Sequence, residues 1–391
     1  MENKRIRLLF VVSSLCIGGA EKHLITLLNH LDSERFWLSL VYLKDDPAQL
    51  PQIDIKRIEG KITACHVCRK IDFSAVHQIM QKIEHEQIQI IVCVNTYPLL
   101  YAWLARMQAN QRPRIVELFH TTEIITIKNQ LQMLFYWPFF AISDMLVYVC
   151  ENQRRYWRAK ALRARKDTVI HNGIDIDHFA DNYGECEKGL IRSRYRFGKN
   201  DYVVGVCAAM RPEKAHMDML LAIAALKEKQ IEVKCLFIGD GPERDNLEAS
   251  ITALGLNENV QITGLVNDIR PPSGACDVMA MVSHSETFSI AALEGMALGK
   301  PVIISDIGGA AEQVTNGVNG YLYQRGDIAG LADALEKLRD PATRQRLGRQ
   351  ARATVAEHFS LNTMVHAYER LFVGLIRSSP TPIKAEATDA A

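Results

Sequence analysis

Between positions 283 and 320 the chain reads SHSETFSIAALEGMALGKPVIISDIGGAAEQVTNGVNG. Two carboxylates, Glu286 and Glu294, bracket an expected helix start, and Phe288 and Ser289 form the turn into it. Ser289 is an N-cap residue type, and Ile290 begins a small, apolar, closely packing segment. Gly299-Lys300-Pro301 then stops the helix. A helix N-terminus leaves backbone N–H groups free beside a partial positive charge, which suits a phosphate. Carboxylates accept hydrogen bonds from hydroxyls. The stretch therefore suits a ligand that carries both a phosphate and a sugar.

Other residue groups invite chemistry. Gly18-Gly19 follows an apolar run and precedes a helical pattern, so the backbone there can come close to a ligand. The spacing is not Gly-x-Gly-x-x-Gly, and the dinucleotide fingerprint fails. His120 directly follows the strand-like run IVELF, on the side of a sheet where ligands bind. Cys65-His66-Val67-Cys68 has metal-like spacing but no second pair nearby, so no metal site is expected. Asp175-Ile176-Asp177 lies in a linker and reads as a hinge rather than a metal site.

The elements that must position these residues alternate. Apolar strand patterns at 7–14, 36–43, 88–94, 114–119, 145–149 and 168–171 are interleaved with helical patterns, and a second series starts at 202–208. Strands alternating with helices predict parallel, doubly wound sheets. The expected fold class is α/β, with two Rossmann-like domains facing across a cleft.

Composition narrows the function classes. The chain has 391 residues, 48% hydrophobic and 23% charged, with a formal net charge of +1. That length favours two domains, and the charge balance gives no field for nucleic acid. The N-terminal apolar run is too short for a membrane span and reads as a first strand rather than a signal peptide. Nine scattered cysteines fit a reducing, cytoplasmic setting. Two stretches suggest a surface, the aromatic run at 131–150 and the basic run RRYWRAKALRARK at 154–166. The second is either a solvated face or a patch for anionic lipid at the inner membrane leaflet.

Taken together, Gly18-Gly19-Ala20-Glu21, His120, His171-Asn172-Gly173-Ile174-Asp175, Arg211-Pro212-Glu213-Lys214, Gly239-Asp240-Gly241-Pro242 and the Glu286-x7-Glu294 segment with Gly308-Gly309 resemble a family-4 retaining glycosyltransferase of the GT-B fold. The resemblance implies an N-terminal, acceptor-side domain at 1–175 and a nucleotide-sugar-binding domain at 176–360. It further implies a helix at 361–377 crossing back to the first domain; a polar tail at 378–391 is expected to be disordered. By the same resemblance Glu286 contacts the donor sugar and Glu294 the ribose. The backbone of Phe288, Ser289 and Ile290 holds the diphosphate, closed over by Gly18 and Gly19. Lys214 and Arg211 neutralise the diphosphate, the loop at Gly264 holds the base, and His120 stands beside the sugar ring. No metal or other cofactor is implied. The sequence departs from the family at Ala209, where an Arg is common, and at Thr121, where an Asp often follows the histidine. The implied function is transfer from a nucleotide-sugar, a UDP-sugar favoured, to a glycan or lipid-linked acceptor in surface polysaccharide synthesis. The alternatives are an epimerase of the same fold, a pyridoxal-dependent phosphorylase and a catalytically dead binding protein.

Overall fold

The protein is described here from a computed structural model, in which residues 5–16, 18–121, 127–180 and 183–377 are described. The tail expected to be disordered, 378–391, lies outside them. The first half runs β1 (Ile6–Val12), α1 (Gly19–His30), β2 (Phe36–Tyr42), β3 (Ile62–Ala64), α2 (Phe73–His85) and β4 (Ile90–Val94). It continues with α3 (Thr96–Gln108), β5 (Arg114–Phe119), α4 (Ile127–Ala141), β6 (Met145–Tyr148), α5 (Glu151–Ala159) and β7 (Asp167–Val169). The second half runs α6 (Glu185–Arg194), β8 (Val203–Cys207), α7 (His216–Glu228), β9 (Lys234–Ile238), α8 (Arg244–Ala253), β10 (Val260–Ile262) and α9 (Arg270–Ala275). Then come β11 (Val278–Met281), α10 (Ile290–Ala297), β12 (Val302–Ser305), α11 (Ala310–Gln313) and β13 (Gly320–Tyr323). Three helices close the chain, α12 (Ile328–Lys337), α13 (Pro341–His358) and α14 (Leu361–Arg377).

The strands form two parallel sheets, ordered β3-β2-β1-β4-β5-β6-β7 and β10-β9-β8-β11-β12-β13. Their central strands are continuous apolar runs because helices cover both faces; every residue of β4 is buried. Strand order reverses between β1 and β4 in one sheet and between β8 and β11 in the other. Such switch points open a crevice at the carboxyl ends of the strands, and both crevices face the same cavity.

Several short elements escaped the sequence reading, namely β3, β13, α6, α9 and α11. Most are too brief to show a period, α6 buries no residue that would set one, and α9 carries Pro271 and Pro272 in its first turn, where a missing N–H costs nothing. The basic run at 154–166 is largely the end of α5 and its exit loop. Its Trp157 is buried at 2% exposure and donates to the Thr121 carbonyl at 2.8 Å. Its Arg154 and Arg158 grip Asp167. Trp157 is thus a core residue, not part of a surface patch.

The halves are joined twice. Ile174 donates to the Phe359 carbonyl at 2.9 Å and Leu361 donates to Ile174 at 2.8 Å, so the two crossings run side by side. Gly173 does not have a left-handed φ. Its need for no side chain is close approach: a Cβ would stand 2.7 Å from the Ser360 carbonyl. Beyond that crossing α14 packs Met364, Tyr368, Phe372 and Leu375 into the core built by Phe10, Leu24, Leu28 and Phe36. Arg35 pairs with Glu369 at 3.0 Å.

Candidate functional site

The shared cavity has a volume of about 1400 Å3, more than the roughly 300–1000 Å3 of a pocket for one small ligand. Gly18, Gly19 and His120 line one wall; Arg211, Lys214, Glu286, Phe288, Ser289, Ile290 and Glu294 line the other. Gly264 does not line it, although 265–269 do. With φ at +70° and a bridge to Gly239, Gly264 turns the loop toward the cavity without touching it.

The loop into α10 is built tightly. Ser289 caps the helix, its hydroxyl accepting from Ala292 N–H at 3.2 Å. Gln313 clamps the same residue, accepting from Ser289 N–H at 3.3 Å and donating to its carbonyl at 2.8 Å. The Ser289 N–H is therefore already engaged. The first-turn N–H groups of Ile290 and Ala291 have no carbonyl one turn back within the helix, and both residues line the cavity. Gly308 supports the loop from below, with φ at +54° and a would-be Cβ only 2.2 Å from the Glu286 carbonyl.

Each carboxylate meets a lysine. A short 3-10 turn, Pro212–Lys214, swings Lys214 back over the sheet edge, and its Nζ donates to Glu286 Oε2 at 2.6 Å. Glu294 is almost fully buried and pairs with Lys22 of α1, from the opposite half. Arg211 is exposed on the cavity wall. Lysine cations, an arginine and a helix start thus converge on one region, with two carboxylates at its margins. That set can hold a diphosphate and grip hydroxyls on either side of it.

His120 is fixed by its main chain from both halves. Its N–H donates to Asn95 Oδ1 at 3.1 Å, and its carbonyl accepts from the Thr287 hydroxyl at 2.8 Å. Asn95 holds a rare conformation for a non-glycine residue, φ 67° and ψ 173°, of the kind that clusters at functional sites. Burial pushes the His120 imidazole down to about 4, so the ring is neutral at neutral pH. A further latch joins the halves: Glu312 of α11 accepts from the N–H groups of Glu151 and Asn152 at the start of α5, at 2.9 and 2.8 Å. His171 lies 2.8 Å from the same carboxylate.

Sequence reasoning missed Lys22, Asn95, Thr287 and Glu312. Lys22 was one residue beyond a quoted motif, and Thr287 sat inside another. Asn95, at the end of an apolar strand run, was a readable signal, because that is where this sheet type places ligand groups. Asp175 and Asp177 do not converge: Asp175 Oδ1 accepts from the N–H groups of Asp177 and His178, an ordinary turn.

Two parallel-sheet α/β domains with their carboxyl edges on one cleft define a GT-B glycosyltransferase fold. The family model described as Glycosyltransferase Family 4 matches residues 17–178, and that described as Glycosyl transferases group 1 matches 187–354. The chain belongs to this family of glycosyltransferases. It is 24% identical over 309 residues to N-acetyl-alpha-D-glucosaminyl L-malate synthase of Bacillus anthracis, covering 78% of this chain and 80% of the relative. It is 23% identical over 280 residues to the capsular polysaccharide biosynthesis glycosyltransferase CapM of Staphylococcus aureus, covering 69% of this chain and 72% of the relative. Among solved structures it is similar to Anabaena Alr3699/HepE in complex with UDP, with a TM-score of 0.82, 23% identity, and coverage of 94% of this chain and all (100%) of that one.

Proposed function

We propose that this glycosyltransferase moves a sugar from a UDP-sugar, with retention of anomeric configuration, to a glycan or lipid-linked acceptor during surface polysaccharide assembly. The observation that carries the reading is the convergence of Lys214, Arg211, the start of α10 and Gly18-Gly19 around one cavity that also holds Glu286, Glu294 and His120. The UDP and UDP-glucose complexes of the Anabaena relative and the capsular role in the name of the S. aureus relative support donor and pathway class.

The difficult step breaks the bond between the anomeric carbon and the diphosphate oxygen. Negative charge grows on the leaving diphosphate, and groups already aimed at it stabilise that charge without reorganising. Lys214, Arg211 and the N–H groups of Ile290 and Ala291 play this part, each charge-assisted bond contributing about 1.5–3 kcal/mol. No metal is then needed for the diphosphate. Glu286 accepts from the sugar hydroxyls, Glu294 from the ribose, and neutral His120 stands beside the ring. The acceptor attacks on the face the diphosphate leaves.

A membrane-bound acceptor fits the outside of the first half. Leu131, Leu134 and Phe135 of α4 are 64%, 64% and 53% exposed. Arg155 and Lys160 are exposed on α5 and its exit, which packs beside α4 through Phe119. Exposed apolar side chains with exposed cations on a neighbouring helix suit an anionic leaflet. Among the described residues no helix is long and apolar enough to cross a membrane. A thermal-shift panel of sugar nucleotides tests the donor, since a ligand that binds only the native state stabilises it. UDP-sugars should raise the melting temperature; a response to GDP-sugars alone would overturn the donor assignment. Product anomers read by NMR test retention, and co-sedimentation with anionic vesicles at low salt tests the surface.

A further inference from the structure

His23, in the first turns of α1, stands among apolar neighbours Leu24, Leu27 and Leu28 of the same core. It is 2% exposed. A leucine would suit that environment, and burying an imidazole costs free energy unless its polar atoms are partnered. Nε2 is partnered, lying 3.1 Å from the Tyr368 hydroxyl on α14. The His23 ring stands edge-on to Tyr368, with centroids 5.4 Å apart and planes at 64°. It also packs edge-on with His120, with centroids 5.0 Å apart and planes at 63°.

His120 needs such a neighbour. Its main chain is held by Asn95 and Thr287, but those bonds leave the ring free to rotate about its side-chain torsions. Among the described residues His120 Nε2 is buried without a hydrogen-bond partner. The ring's orientation must then come from what packs on it, and His23 is the ring in contact.

We propose that His23 is a positioning residue for His120, itself fixed by the Tyr368 hydroxyl of the crossing helix α14. The role rests on the reading of His120 as the group beside the sugar. It gives α14 a purpose beyond covering the first domain's core. The helix arrives from the second half of the chain, so the imidazole facing the cavity is set only once that helix has docked.

The test uses Tyr368→Phe, His23→Gln, His23→Leu and His120→Ala in the full chain, with two readouts. The first is the imidazole nitrogen signals of His120 by NMR, which need no substrate. The second is turnover of the sugar nucleotide that the thermal-shift panel selects. Tyr368→Phe should shift the His120 signals and lower turnover about three- to tenfold with donor KM unchanged. His23→Leu should cost more, roughly ten- to a hundredfold. His23→Gln, which keeps a polar group in reach of Tyr368, should recover part of that loss. In a His120→Ala background none of these changes should lower turnover further, because residues acting through one group are not additive. If His120→Ala leaves turnover intact, the reading of His120 fails. If His120→Ala lowers turnover while Tyr368→Phe and both His23 variants leave turnover and the His120 signals unchanged, only the positioning role fails. Tyr368→Phe is the gentlest change and keeps the test valid if His23→Leu does not fold.

Discussion

Lys214 and Glu286 are joined by an ion pair 2.6 Å long, formed between a 3-10 turn after β8 and the loop before α10. Each side chain is about a quarter exposed, at 24% and 26%. The pair links the residue proposed for the leaving diphosphate to the residue proposed for the sugar, so the two sides of the breaking bond are addressed by one connected unit.

An ion pair this exposed adds little to stability, about 1 kcal/mol or less. Lys214→Ala and Glu286→Ala should therefore leave the melting temperature nearly unchanged. Transfer should fall roughly a hundredfold or more in each, as when a group stabilising developing charge is removed. Kinetics and calorimetry on the same preparations check this. Near-normal transfer in both variants would sink the assignment.

The buried histidines make stability depend on pH in a definite direction. Burial pushes His120 and His216 down to about 4 and holds His23 well below its ordinary value. Between pH 6.5 and 4 the unfolded chain binds protons that these folded imidazoles refuse. The unfolded state thus gains protons first, and stability falls as pH drops through that window. Melting temperatures at pH 7.5, 6 and 5 should decline in that order. Turnover should show no limb near pH 6.5 from His120, because the ring stays neutral down to about 4. A kinetic limb near 6.5 that vanishes in His120→Gln would contradict the buried, neutral ring.

Glu312 moves stability in the same direction, in a lower pH window. Burial raises its carboxyl, but the bonds from His171 and from the Glu151 and Asn152 amides outweigh that, and the net value is lowered. Its contribution is present above the ordinary carboxylate range and lost as pH falls through the lowered value. Glu312→Gln should weaken the latch by about 1.5–3 kcal/mol. Amide hydrogens at 150–153 should then exchange faster by mass spectrometry. Unchanged exchange there would show that the start of α5 does not depend on this cross-domain cap.

The fold was legible because parallel strands buried on both faces leave unbroken apolar runs such as IIVCV at β4, and these punctuate the chain unmistakably. Ser289 and Gly299 marked α10 at both ends, and the observed cap and the left-handed φ of +70° at Gly299 agree. What stayed hidden is what needs the third dimension. Nothing in the sequence pairs Lys22 with Glu294 or Tyr368 with His23, since each pair joins segments far apart in the chain. Nor does the sequence show that Gly264 turns the loop whose next residues, 265–269, line the cavity. Trp157 misled because a basic helix face and its buried aromatic stripe are interleaved in sequence, one residue apart.

Gly308 offers the sharpest separation of fold from site. Its φ of +54° is left-handed, which costs an ordinary residue roughly 1–2 kcal/mol. A methyl there would also stand 2.2 Å from the Glu286 carbonyl and 2.6 Å from that of Thr287. Both obstacles are backbone oxygens, so relief requires the loop itself to move. That loop carries Glu286 toward Lys214 and the Thr287 hydroxyl that holds His120. Gly308→Ala should therefore lower turnover at least about tenfold, since small displacements of positioned groups are expensive in rate. Gly374→Ala is the control. It lies within α14 with nothing inside 4 Å of the new methyl, and it should stabilise the protein by about 0.5–1 kcal/mol without touching turnover. Equal turnover in Gly308→Ala and Gly374→Ala would mean that the 286–287 loop can shift freely, and the site could not then depend on the geometry given for Glu286 and His120.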